Sequence, residues 1–322
     1  MRKFEIKKVS LLTLLLFAFT FTYAQSERIE VEVEYDDGYN FYVLNDLGRN
    51  GYYRQKDVAE AMVRMVDTAD PEFFVSAGDT HHWGGVESVY DPLWMTNFEL
   101  VYAHPHFMEE WYPILGNHEY RGNTQAVIDY SQISRRWVMP GRYYTKFIQP
   151  DPDEIDEFDT AELFFIDTTP LISDYYEDGD KYADVFEQDS TAQLQWLEEQ
   201  LANSTGTFKI VIGHHPIYVS EKKRVDEQDL IEKLDPLLRK YGVDLYIAGH
   251  SHTFQHLTKP GTEVNYVVNS SASLGREPVK GPDTRFCSPD EGFSVISIGK
   301  GRMKMTFVNY LGDPIYQFEI VK

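Results

Sequence analysis

Five short apolar runs, each leading into small or polar residues with metal-ligand chemistry, constrain this chain more than any other feature. They are Phe41-Tyr42-Val43-Leu44-Asn45-Asp46, Phe73-Phe74-Val75-Ser76-Ala77-Gly78-Asp79, Tyr112-Pro113-Ile114-Leu115-Gly116-Asn117-His118-Glu119, Lys209-Ile210-Val211-Ile212-Gly213-His214-His215 and Leu245-Tyr246-Ile247-Ala248-Gly249-His250-Ser251-His252. A short apolar run bounded by turn-forming residues reads as a buried strand. Open α/β sheets collect ligands at the carboxyl edge of their strands. If the five strands lie in one sheet, their ends converge on a site holding Asp46, Asp79, Asn117, His214, His250 and His252.

The segments between these runs fit an α/β alternation. Residues 55–68 carry Val58, Ala59, Met62, Val63 and Val66 at helical spacing, so a strand, a helix and the Phe73 strand form a crossover unit that sets Asp46 beside Asp79. Helices are also expected over 123–136, 193–201 and 230–241, the last stopped by Gly242. Strands are expected at 143–148, 162–166, 264–269, 292–299, 303–310 and 314–321. The acidic, tyrosine-rich stretch 173–189 reads as a solvated surface loop, with a lid beside the site as the alternative. No internal repeat or low-complexity linker divides the chain, so residues 25–322 read as a single domain.

Residues 1–24 are a separate matter. Arg2, Lys3, Lys7 and Lys8 precede an apolar run from Val9 to Tyr23, the pattern of a signal peptide cleaved before Gln25. The run is short for a bilayer span, and no cysteine near the junction offers a lipid attachment point. The expected location is therefore periplasmic or secreted, with no membrane attachment after cleavage. The single cysteine, Cys287, cannot form an intrachain disulfide and reads as a packed small side chain.

Formal net charge is −22. Removing the leader takes away four positive residues and Glu5, a net +3, which leaves about −25. So acidic a chain repels phosphate backbones, which excludes nucleic acid as an expected partner. A small anionic substrate then requires a local positive charge, which two cations held by Asp46 and Asp79 would supply. The histidines point the same way. All ten fall in 81–118 or 214–256, with none between, and that clustering indicates a metal site.

The order Asp46, Gly78-Asp79, Gly116-Asn117-His118-Glu119, Val211-Ile212-Gly213-His214 and Gly249-His250-Ser251-His252 resembles the calcineurin-like metallophosphoesterase signature, and more narrowly the purple acid phosphatases of the small, tartrate-resistant type. Residues 122–137, 193–197 and 237–243 carry the likeness beyond the motifs. The resemblance implies an α/β fold of two packed β-sheets flanked by helices, an αββα sandwich. It implies two metal ions per chain, one held by Asp46, Asp79 and His252, the other by Asp79, Asn117, His214 and His250. His118 would contact the phosphate or the leaving-group oxygen without ligating metal. The implied activity is hydrolysis of phosphomonoesters with broad specificity, by in-line attack of metal-activated hydroxide. A phosphodiesterase or nucleotide pyrophosphatase on the same centre is the alternative.

Two positions depart from the family pattern. His82 stands where those enzymes carry the tyrosinate ligand responsible for their colour, so we expect no purple colour and expect His82 to ligate metal instead. Imidazole suits zinc, manganese and ferrous iron, which leaves Fe, Zn or Mn as the expected ions. After His215-Pro216, where the animal enzymes place another active-site histidine, this chain has Ser220-Glu221-Lys222-Lys223-Arg224. Leaving-group protonation then falls to His118, with His81 and His215 as further candidates.

Overall fold

A computed structural model describes Val33, residues 38–150 and residues 158–322. The expected leader and residues 151–157 lie outside the described residues. The elements in chain order are β1 (Tyr39–Leu44), α1 (Gln55–Val66), β2 (Phe73–Ser76), β3 (Trp111–Pro113), α2 (Thr124–Asp129), β4 (Tyr144–Ile148), β5 (Ala161–Phe165), α3 (Ser190–Asn203), β6 (Phe208–Ile212), α4 (Gln228–Lys233), α5 (Asp235–Lys240), β7 (Leu245–Ala248), β8 (Phe254–Thr258), β9 (Asn265–Val268), β10 (Thr284–Ser288), β11 (Gly292–Gly299), β12 (Arg302–Asn309) and β13 (Pro314–Val321).

The five site-bearing strands do not share one sheet, which corrects the simplest sequence expectation. β1, β2 and β3 belong to a sheet ordered β13-β12-β11-β1-β2-β3, whereas β6 and β7 belong to a second, ordered β10-β8-β9-β7-β6-β5-β4. The two-sheet sandwich implied by the family resemblance is the observed fold. The split follows from what occupies each edge. β1 pairs in parallel with β2 and antiparallel with β11, so the C-terminal strands fill the edge that a fourth parallel strand would need. β6 lies between β5 and β7, parallel to both.

Aromatic side chains join the layers. Phe41 stacks on Phe73, Phe73 meets Tyr112 edge-on, and Tyr112 stacks across to Phe165 of the second sheet with ring centroids 6.0 Å apart. The alternate residues Tyr42, Phe74 and Trp111 face the opposite way and pack with Phe98 and Phe107. Each of these buried side chains contributes about 1.5–3 kcal/mol of apolar transfer free energy. On the outer face of the second sheet, Leu197 and Leu201 of α3, Leu230 of α4 and Leu238 of α5 cover Phe164, Val211 and Tyr246.

Two helix expectations need correction. The segment 230–241 is broken, because Pro236 supplies no N–H to the ladder, and Leu234 marks the joint between α4 and α5. The helix over 123–136 stops at Asp129 and tightens into a 3₁₀ turn over Tyr130–Gln132. β8 and β10 were not legible as strands in the sequence.

Candidate metal centre

The ends of β1, β2, β3, β6 and β7 meet where the two sheets face one another. The Asp46 N–H donates to the Gly78 carbonyl at 3.0 Å, which places the first two carboxylates side by side as the crossover unit requires. His214 reaches across from the second sheet, its Nδ1 lying 2.9 Å from the Ala77 carbonyl. The His250 N–H donates to Asp46 Oδ2 at 2.8 Å.

Two glycines allow this proximity. A Cβ on Gly78 would lie 2.5 Å from the His214 ring, and φ there is +89°. A Cβ on Gly116 would lie 2.3 Å from Asp79 Oδ1. Four candidate ligands themselves adopt the left-handed backbone region: Asp46, Asp79, His250 and His252 have φ of 50°, 53°, 65° and 59°. Such residues cost of order 1–3 kcal/mol each and persist where the surrounding structure imposes them, typically at ligand sites.

The protonation pattern of the rings shows where their lone pairs point. His214 Nδ1 and His252 Nδ1 each face a backbone carbonyl, Ala77 and Leu274, which can only accept. Each Nδ1 therefore carries a hydrogen, which leaves each Nε2 either to hold a second proton or to offer a lone pair to a cation. His214 Nε2 then lies 3.1 Å from Asp79 Oδ2, and His252 Nε2 lies 2.9 Å from Asp46 Oδ1. Each of these pairs requires a proton or a cation between its two atoms. His82 Nε2 stands 3.5 Å from Asp79 Oδ2 and 3.8 Å from Asp46 Oδ1. Among the described residues, Asp46 Oδ1, His82 Nε2, Asn117 Oδ1 and His214 Nε2 are buried with no hydrogen-bond partner.

Facing lone pairs require a cation or a proton between them, so the donor set fits metal ions. Among the described residues four groups have ligand atoms within 4.8 Å of one another: Asp46, His82 and His252; Asp46, Asp79 and His214; Asp79, His82 and His118; and His214, His215 and His250. Asp46, Asp79, His82 and His214 each belong to two of these groups, so the clusters share members and form one continuous site. His82 stands with Asp46 and Asp79, where its imidazole can take the place of a tyrosinate.

Without metal, protons and burial compete for the same groups. Burial alone would lower the pKa of His214, but the Asp79 charge and contact outweigh it and raise it to about 9. Asp46 is held well below the usual carboxylate range; burial opposes this, and His252 overcomes it. Burial pushes His82 down to about 3 and also lowers His118.

His118 differs from the other imidazoles. Its Nδ1 donates to the Trp83 carbonyl at 2.8 Å, and its Nε2 lies 3.9 Å from Asp79 Oδ2 with its side chain 10% exposed, so it alone faces both the carboxylates and solvent. The two other candidates for leaving-group protonation are engaged elsewhere. Both His215 nitrogens are occupied, Nδ1 by Thr168 Oγ1 at 2.8 Å and Nε2 by the Tyr175 hydroxyl at 2.6 Å. His81 is fully buried, its Nδ1 accepts from Asn97 Nδ2 at 3.1 Å, and its ring lies edge-on to Trp94. His256 is likewise occupied by Tyr316 and Asn265.

Sequence reasoning left several supporting residues without a role. Asn45 donates to Asp46 Oδ2 at 2.7 Å, and the hydroxyls of Ser271 and Ser273 donate to the Asp46 carbonyl. Thr168 Oγ1 accepts from the N–H groups of His214 and His215. Glu119 accepts from the N–H groups of Asp79, Gly116 and His81. The acidic stretch 173–189 is more than surface, because Asp174, Tyr175, Asp178 and Tyr182 line a cavity together with His250. Composition alone does not reveal such a contact.

Comparison with known proteins agrees with this geometry. The sequence profile of the calcineurin-like phosphoesterase family matches residues 39–254. The chain is 30% identical to purple acid phosphatase 4 of Arabidopsis thaliana, covering 89% of this chain and 85% of that protein. It is 30% identical to tartrate-resistant acid phosphatase type 5 of Rattus norvegicus, covering 82% and 83%. Among solved structures it is similar to GAP50, the anchor in the inner membrane complex of Plasmodium, with a TM-score of 0.75 and 27% identity over 88% of this chain and 89% of that one.

Proposed function

The chain belongs to the calcineurin-like phosphoesterase family, with purple acid phosphatases as its relatives, and from that premise we propose an exported phosphomonoesterase of broad specificity working with two metal ions. As a family member it is a metal-dependent phosphoric ester hydrolase. The observation that carries the assignment of ligands is the pair of buried imidazole–carboxylate contacts, His214 Nε2 with Asp79 Oδ2 and His252 Nε2 with Asp46 Oδ1.

In this reading Asp46, Asp79, His82 and His252 hold one ion, and Asp79, Asn117, His214 and His250 hold the other. When bound, such a pair supplies Lewis acidity, a nucleophile at neutral pH and a clamp for phosphoryl oxygens. The protein's own residues do the rest. The carbonyls of Ala77 and Leu274 fix the tautomers of His214 and His252, so that each Nε2 stays available. His118, its Nδ1–H held by the Trp83 carbonyl, serves as proton donor to the departing alkoxide in its imidazolium form, with a second proton on Nε2 that burial disfavours and the Asp79 charge favours. With neutral His82 in place of a tyrosinate, the ligand set carries two negative charges, which favours divalent ions of the Fe, Zn or Mn type.

Residues 1–24 act as a cleaved leader and residues 25–322 as one mature domain, released to the periplasm or the exterior. Among the described residues no helix is long and apolar enough to cross a membrane. The strong negative charge supports a small phosphorylated substrate over nucleic acid. Replacing Asp79 with Asn tests the centre: stoichiometric metal by elemental analysis and turnover of p-nitrophenyl phosphate should disappear together. Full turnover in that variant would defeat the assignment. Faster hydrolysis of bis(p-nitrophenyl) phosphate than of the monoester by the unmodified protein would favour a diesterase instead.

A further inference from the structure

Beside the centre lies a second feature that the phosphoryl chemistry leaves unused. A cavity of about 470 Å³ is lined by Arg49, Asn50, Tyr52, Tyr53, His82 and Trp83. Three of its walls are large aromatic side chains turned to solvent, with Tyr52 72%, Tyr53 60% and Trp83 62% exposed. Grouped exposed aromatics mark a binding surface more often than chance, because burying them against a flat partner recovers the hydration cost.

Arg49 is the second observation. It is 5% exposed, and among the described residues its Nε and both terminal nitrogens are buried without a hydrogen-bond acceptor. Its guanidinium is held by faces rather than by acceptors, 4.4 Å from the centre of the Trp83 ring and 5.9 Å from that of Tyr53. A guanidinium remains charged at every ordinary pH, so five N–H donors without an acceptor are a standing cost that an anionic or carbonyl oxygen would remove.

The position of the cavity indicates which part of a substrate would enter it. His82 forms part of its wall and stands next to Asp46 and Asp79. Trp83 is tied to the proton donor, since its carbonyl accepts from His118 Nδ1 and its ring lies 5.8 Å from the His118 ring. A group leaving beside His118 Nε2 therefore has the exposed Trp83 ring within reach.

We propose that Arg49, Tyr52, Tyr53 and Trp83 form the leaving-group subsite, and that it selects phosphomonoesters whose alcohol is a planar aromatic ring carrying an anionic or carbonyl oxygen. The ring stacks on Trp83 and the tyrosines, and its oxygen supplies the acceptor that Arg49 lacks. The inference rests on the phosphomonoesterase reading. It adds a preference that the centre alone does not impose.

The test compares kcat/KM for 4-carboxyphenyl phosphate, phenyl phosphate and glycerol 2-phosphate in the metal-loaded full chain, in Trp83→Ala and in Arg49→Gln. Taking ratios between substrates cancels their intrinsic reactivity. In Trp83→Ala the ratio of phenyl to glycerol ester should fall about tenfold, in line with the loss of one stacking contact. In Arg49→Gln the ratio of carboxyphenyl to phenyl ester should fall by a similar factor, and Arg49→Lys should restore part of it. Ratios unchanged in both variants would overturn the subsite. If the unmodified protein turns over none of the three, the phosphatase reading fails separately. Ligand-observed NMR with 4-hydroxybenzoate then decides the subsite, binding to the native chain but not to Trp83→Ala supporting it and equal signals refuting it.

Discussion

Glu119 offers a test of the site's architecture that needs neither metal nor substrate. Its carboxylate is fully buried and accepts three backbone N–H groups, from Asp79 at 2.9 Å, His81 at 3.0 Å and Gly116 at 2.8 Å. These bonds join the turn after β2 to the turn after β3, so one side chain sets the distance between Asp79 and Asn117. Burial and the Asp79 charge raise the Glu119 pKa to about 8, although the Gly116 and His81 N–H groups oppose the rise. Glu119→Ala leaves three buried donors without acceptors, and at about 1–3 kcal/mol each the expected loss is about 3–9 kcal/mol. That is a large share of the total stability of about 5–15 kcal/mol typical of a native protein. Glu119→Gln keeps one carbonyl oxygen, which can serve the Asp79 and Gly116 donors, while its NH₂ faces the His81 N–H. Its expected loss is one unsatisfied donor, about 1–3 kcal/mol. Urea unfolding of chelator-treated protein should order the midpoints as native, then Gln, then Ala. An alanine variant within about 0.5 kcal/mol of native, the scatter of an ordinary surface substitution, would refute the claim that this carboxylate holds the two turns together.

Three further outcomes follow from the same geometry. His82→Tyr should bind ferric iron with a visible tyrosinate absorption band that the unmodified protein lacks; a band already present in the native protein would contradict metal ligation by His82. His118→Ala should retain its metal content by elemental analysis while kcat falls about 10²–10⁴-fold, the range for loss of a positioned proton donor. Asp167 is fully buried, and burial raises its pKa from 3.8 to about 6 despite the Tyr120 hydroxyl bonded to it. A carboxyl that holds its proton more tightly when folded contributes stability below the unfolded pKa and loses it as pH rises through the folded value. Relative to Asp167→Asn, the native protein should therefore lose about 2 kcal/mol of stability between pH 4 and pH 6, out of about 3 kcal/mol over the whole titration, measurable by urea midpoints across that window.

The resemblance to a known family was legible because the metal centre is built from strand ends, and strand ends are local. Phe73 to Asp79 and Leu245 to His252 each carry in a few consecutive residues the apolar run, the glycine and the ligand. Asp46 beside Asp79 follows from one strand-helix-strand unit, which the periodicity of 55–68 announces. Identical strand grammar cannot say which strands are neighbours, so the division of β1–β3 and β6–β7 between two sheets depended on which edge β11 filled. Pro236 could have been read as a break in advance, since the cause is covalent. The other boundaries depended on packing.

Local sequence therefore determined the candidate ligands, because coordination chemistry resides in side chains and their spacing along a turn. Tertiary structure alone decided which imidazoles were available. His118, His215 and His81 are chemically the same residue, yet Thr168 and Tyr175 occupy both nitrogens of His215, Asn97 and Trp94 enclose His81, and the Trp83 carbonyl leaves only His118 Nε2 free toward the carboxylates. The partners that fix a ring's tautomer and direction come from distant parts of the chain, and folding brings them within hydrogen-bond range.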